Sequence, residues 1–125
     1  MNYLNKIKKR NSNLVRTIAV ISALLLFSSN LKAEIVWVTD VSVSKVLVDE
    51  FFGGCMIRVN VELPETCGVG WVSLDCDGTY YDQRNGENKF AAALMAESGD
   101  KLVDLAINDS FKHGPYCTAR RLDVK

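Results

Sequence analysis

The sequence predicts a small, mainly β domain with one helix, in the order β-β-β-α-β-β, stapled by disulfides and preceded by an export signal. Three observations carry this reading. The N-terminus is built like an address, all four cysteines come after it, and five alternating β-branched runs are interrupted by a single Ala- and Leu-rich segment.

The address comes first in the chain. Lys6, Lys8, Lys9, Arg10 and Arg16 precede an apolar run from Thr17 to Phe27, and "SSNLKA" then ends on the small residue Ala33. A basic region, a short apolar core and a small residue at the cut make a secretory signal peptide. The apolar run is shorter than the roughly 20 residues of a membrane span, which weighs against the rival reading, an uncleaved anchor. No cysteine lies near the cut to take a lipid. Residues 1–33 are therefore read as the signal and residues 34–125 as one exported domain, periplasmic or secreted, with no membrane attachment after cleavage.

Cleavage changes the charge. Six of the 15 basic residues precede position 34 and all 15 acidic ones come after it, leaving nine basic residues and a net charge of −6. An acidic small domain is a poor partner for nucleic acid or anionic lipid. It fits a neutral ligand or a basic protein better. Cys55, Cys67, Cys76 and Cys117 form an even set in a small exported chain, the pattern of two disulfides. The absence of any C-x-x-C pair disfavours a four-thiolate zinc site and a thioredoxin-type redox motif.

The first run, "IVWVTDVSVSKVLVDE", alternates throughout, but Val41 and Val43 share one parity and Val46 and Val48 the other. A bulge near Ser44–Lys45 in one long strand explains the switch, because one extra residue exchanges the faces. "FFGG" turns the chain. "CMIRVNVEL" alternates Cys55, Ile57, Val59 and Val61 against Met56, Arg58, Asn60 and Glu62, and "PETCGVG" breaks the run. In "WVSLDC", Val72, Leu74 and Cys76 point one way and Trp71, Ser73 and Asp75 the other, with Asp77–Gly78 ending the strand. "ENKFAAALMAES" is rich in helix formers. Phe90 and Leu94 share a face there, Asn85 is the expected N-cap, and Gly99 the expected left-handed residue after the helix. "KLVDLAI" is the fourth strand, "NDSFKHGP" a loop, and "YCTARRLDV" the fifth strand.

This order suits a small five-stranded Greek-key barrel of the OB type, whose closure removes exposed edges. The alternative is an open antiparallel sheet with the helix on one face. In an OB barrel with Leu63 opposite Gly70, Cys55 falls diagonal to Cys76. The third and fifth strands run parallel in such a barrel, so Cys67 meets Cys117. Those are the expected pairs among three connectivities. With its signal peptide, its cysteines around the second and third strands and its Ala-rich helix before "KLVDLAI", the chain resembles the small exported B subunits of bacterial AB-type toxins. The resemblance lies in architecture and implies a disulfide-bonded OB fold and a sugar ligand; it assigns no residue, and whether the chain forms an oligomer stays open.

Catalysis finds little support in the residues. One histidine, His113, lies beside Gly114–Pro115, no G-x-S-x-G elbow exists, and all cysteines are expected to be oxidised. "DCDGTYYD" has its glycine too early for a calcium EF loop and no closing Glu, so it reads as an Asp-Gly turn. No metal or cofactor is expected. A sugar surface is better supported. OB barrels hold ligands across strands two and three between the first and fourth loops. The outward parity there offers Arg58, Asn60, Trp71 and Asp75, while Phe51, Phe52, Phe111 and His113 occupy the loops. The expected function is non-catalytic binding of a glycan or another polar neutral molecule. The rivals are an acidic inhibitor of a basic protein, such as a lysozyme, and a secreted enzyme.

Overall fold

The computed structural model describes residues 33–125, so all but the last residue of the expected signal segment, residues 1–33, lies outside the described residues. The elements are β1 (Ile35–Asp49), β2 (Gly54–Val59), β3 (Trp71–Ser73), α1 (Gln83–Ser98), β4 (Leu102–His113) and β5 (Tyr116–Val124). The five strands close in a ring in the order β1-β2-β3-β5-β4, with β4 pairing back onto β1. The β3–β5 pair, Ser73 against Thr118, is parallel, and every other pair is antiparallel. That one parallel pair closes the ring and excludes the open sheet.

β1 serves two neighbours and bends twice. Its register slips between Val43 and Lys45 against β2, where the parity switch predicts a bulge, and again between Val38 and Val41 against β4. At the second bend Asp40 adopts φ 57°, a left-handed conformation that Asp tolerates better than most residues. Val41, Val43, Ile57, Val72, Leu105 and Ile107 fill the ring, and Ala93 and Ala96 of α1 close it from outside the sheet.

Both disulfides have the expected partners. Cys55 joins Cys76, with Cα atoms 5.5 Å apart, and Cys67 joins Cys117 at 5.1 Å. The register assumed for them needs correction: Gly70 lies opposite Val59, whose N–H donates to the Gly70 carbonyl at 2.9 Å, rather than opposite Leu63. Met56 faces Ser73, so Cys55 is still diagonal to Cys76. The segment after Val59 leaves the ladder because Cys67 is held at β5, where the Gly68 N–H also reaches the Pro115 carbonyl at 2.8 Å.

Four local expectations are also corrected. The helix is capped by Asp82, not Asn85: the Asp82 carboxylate accepts from the Arg84 N–H at 3.0 Å. Gly99 has φ −95°, and the left-handed residue is Asp100 at 52°. Phe90 packs on the core, but Leu94 points outward, because the buried stripe of α1 is Gly86, Lys89, Ala93 and Ala96. "NDSFKH" is strand rather than loop. β4 runs to His113 and pairs Lys112 with Cys117 and His113 with Tyr116, leaving Gly114 at φ 61° and Pro115 as the turn.

Candidate functional site

β3 is too short to alternate outward and inward as expected. Trp71 is half-buried, but Ser73 and Asp75 are both fully buried. The reason lies in the turn after β3. The Asp75 backbone is left-handed, at φ 60°, and turns the chain back over its own carboxylate. Oδ1 accepts from the Thr79 N–H at 3.1 Å, and Oδ2 from the Tyr80 and Tyr81 N–H groups at 3.0 and 2.6 Å. His113 Nε2 completes the set, 2.8 Å from Oδ1. Asp75 thus organises the whole stretch up to the helix cap.

Two chemical readings of this cluster fail on geometry. Asp75, Asp77 and His113 place potential metal-ligand atoms within 4.8 Å of one another, but the Asp75 oxygens are committed to four donors. Ser73 and His113, the latter bound to Asp75, also meet around Gly53, where an added Cβ would lie 2.5 Å from Ser73 Oγ and 2.7 Å from His113 Nε2. This is no nucleophilic triad. Asp75 occupies the nitrogen that a serine base would need, and the fully buried Ser73 hydroxyl donates to the Phe52 carbonyl at 3.0 Å.

The residues expected to share one surface fall into three groups. Arg58 and Trp71 form a cross-strand pair, with Arg58 exposed, and Asn60 near it accepts the Ser42 N–H at 3.0 Å. Phe52 sits edge-on to Tyr116, with ring centres 5.1 Å apart, next to Gly53, which Ser73 and His113 approach closely, while Phe51 is exposed. Phe111 marks a third place, joined to the second through Tyr80, whose ring lies edge-on to His113 with centroids 4.9 Å apart. It stacks on Tyr80, with centroids 4.8 Å apart and planes 8° from parallel, and tilts against Tyr81. Buried as they are, Asp75 and His113 present no face to a ligand; Asp75 instead holds the backbone of Tyr80 and Tyr81, which meet Phe111.

Beside this aromatic group lies an open groove of about 710 Å³. The first two turns of α1 supply Asn85, Asn88 and Lys89, the loop before it Tyr81, β4 Asn108 and Phe111, and β5 Arg120, Arg121 and Leu122. Asn108 donates to the Tyr81 hydroxyl at 3.3 Å, fixing the ring at the groove wall. Lys89 is only 4% exposed; its ammonium donates to the Ala119 carbonyl and lies 5.1 Å from the Tyr81 ring centre. Burial pushes its pKa down to about 8, against a smaller upward pull from Asp75. A second hollow of about 360 Å³ shares Arg120 and Arg121 and ends at Trp37, over which the Arg121 guanidinium lies at 5.9 Å.

Apart from Phe111, sequence reasoning missed this groove. Two signals pointed to it. Arg120–Arg121 is the only adjacent basic pair after position 34, and Asn85 and Lys89 stand one helical turn apart. The groove also lacks carboxylates, so the charge of −6 carried by residues 34–125 does not describe it. No family model matches the chain, and neither a curated protein nor a solved structure shows significant similarity to it.

Proposed function

We propose that the chain is an exported, non-catalytic binding protein for a glycan or another polar ligand, and that the ligand lies in the groove beside α1. The single observation that carries this is the lining: three amide side chains, three cationic groups and two aromatic rings converge on one concave surface. Amides and guanidinium groups bond hydroxyls in fixed directions, and aromatic faces take the C–H side of a sugar ring. Sites of this kind combine concavity with a few placed polar groups. The commitment of Ser73, Asp75 and His113 to internal bonds supports binding over catalysis. The two disulfides point to an oxidising compartment, and no helix among the described residues is long and apolar enough to cross a membrane. Export and an OB-type barrel are the finer readings we adopt. The parallel β3–β5 pair and a helix between β3 and β4 support the latter.

The net charge of −6 over residues 34–125 favours one other reading, an inhibitor that docks on a basic protein such as a lysozyme. A glycan screen of the exported chain beside a lysozyme inhibition assay separates the two. The proposal expects glycan signals that are lost in Asn88→Ala and Phe111→Ala, with lysozyme activity unchanged. Lysozyme inhibition that survives both substitutions, with an empty glycan screen, would overturn it.

A further inference from the structure

The groove floor holds a charge that the protein leaves incompletely compensated. Lys89 is buried, yet the one hydrogen bond its ammonium makes among the described residues goes to a neutral carbonyl, that of Ala119. An ammonium carries three donors, and buried charges are normally paired with an opposite charge. Asp75, the carboxylate that acts on Lys89 electrostatically, is already taken by three backbone N–H groups and His113. The neighbours across the groove add positive charge rather than cancel it. Arg120 is exposed and forms no ion pair among the described residues, and Arg121 binds Asp123 through Nε alone, at 2.8 Å. No carboxylate lines either the groove or the hollow that shares the two arginines.

We infer that the groove binds an oxoanion, a carboxylate or a sulfate or phosphate ester on the ligand, seated between Lys89 and the Arg120–Arg121 pair. This inference rests on the reading of the groove as the ligand site and names the chemical group that the site selects. The guanidinium fork of Arg120 can hold two oxygens of such a group at once. Lys89 supplies a point charge from below, and Asn85 and Asn88 can donate to the remaining oxygens or to adjacent hydroxyls. The tolerance of a buried ammonium then has a reason, because the bound anion supplies its counter-charge.

The test is an amide-resonance titration of the chain from Glu34 onward with digalacturonate, its dimethyl ester, a sulfated disaccharide, the unsulfated parent, and inorganic phosphate and sulfate. The charged probes are expected to shift resonances of residues 85–89 and 119–122. Their affinity is expected to fall with added salt, and at least tenfold in both Arg120→Ala and Lys89→Met. Arg120 is exposed, so its variant keeps the fold even if Lys89→Met does not. Neutral sugars that bind in the groove as tightly as their charged counterparts would overturn this inference and leave the glycan reading standing. Inorganic anions that bind there as tightly as any charged sugar would support the charged centre and count against the glycan reading. No shift with any anionic probe, or full affinity in Arg120→Ala, would overturn the inference outright.

Discussion

His113 Nε2 lies 2.8 Å from Asp75 Oδ1, with Asp75 fully buried and His113 nearly so. This contact joins the end of β4 to the turn after β3, 38 residues apart in sequence. It anchors a loop that has little apolar burial of its own. Asp75→Asn keeps the shape but turns one acceptor oxygen into an NH2 group, facing either two backbone N–H donors or the Thr79 N–H and His113. We expect a loss of about 2–4 kcal/mol, since bonds to charged groups are the stronger ones and buried donors would be left unpaired. Thermal unfolding should show a midpoint lower by more than about 8 °C. A midpoint within about two degrees of wild type would show that the carboxylate does not hold the loop.

Gly86 is the clearest steric requirement on α1. A Cβ there would lie 2.2 Å from the Asp75 carbonyl oxygen and 2.8 Å from the Cys76 Cα. In an exposed helix Gly→Ala gains about 1 kcal/mol. Here the clash is with backbone pinned by the Cys55–Cys76 bridge, so Gly86→Ala should destabilise by about 1–3 kcal/mol, as overpacking does. Denaturant titration gives the sign directly, and a stabilised variant would refute the close helix–loop contact.

Lys89 makes stability depend on alkaline pH in a defined direction. Its folded pKa of about 8 lies below its ordinary value of 10.5. Between those values the unfolded chain holds a proton that the folded chain has released, so the Lys89 contribution to stability rises with pH across that window. The penalty of the buried charge is fully present below about pH 8. The comparison is made with Lys89→Met, which isolates the Lys89 contribution. The stability of wild type relative to that variant should increase from about pH 8 to about pH 10. A flat difference would place the Lys89 ammonium in water.

The two disulfides should differ in weight. Cys67–Cys117 closes a separation of 50 residues and Cys55–Cys76 one of 21. In the chain-entropy account, the longer loop adds about 0.8 kcal/mol more than the shorter, within a total of about 2–5 kcal/mol for each. Paired Cys→Ser variants measured by urea unfolding should show the Cys67–Cys117 pair as the costlier loss. The reverse order would mean that strain or residual structure outweighs loop length.

The sequence by itself determined the elements that depend on local patterning. The parity switch between Val43 and Val46 located one bulge of β1, because side-chain period in a strand is two and one extra residue reverses it. The single Ala-rich run placed α1, and an OB-type strand order led to both disulfide pairs even though the hairpin register assumed with it was wrong. What it could not contain was the surrounding of each side chain. Asp75 and Ser73 have outward parity, yet the turn after β3 and His113 enclose Asp75 and the Phe52–Gly53 turn lies against Ser73, and parity says nothing about a layer laid over a strand. Lys89 reads as an ordinary solvated helix residue until β5 is brought beneath α1, which puts its ammonium on the Ala119 carbonyl, 30 residues away. The groove obeys the same rule. Asn108 and Arg120 lie on the paired strands β4 and β5, and Asn85 joins them only where α1 packs against β5. Periodicity records which way a residue points along its own element, and only tertiary packing decides what stands opposite it.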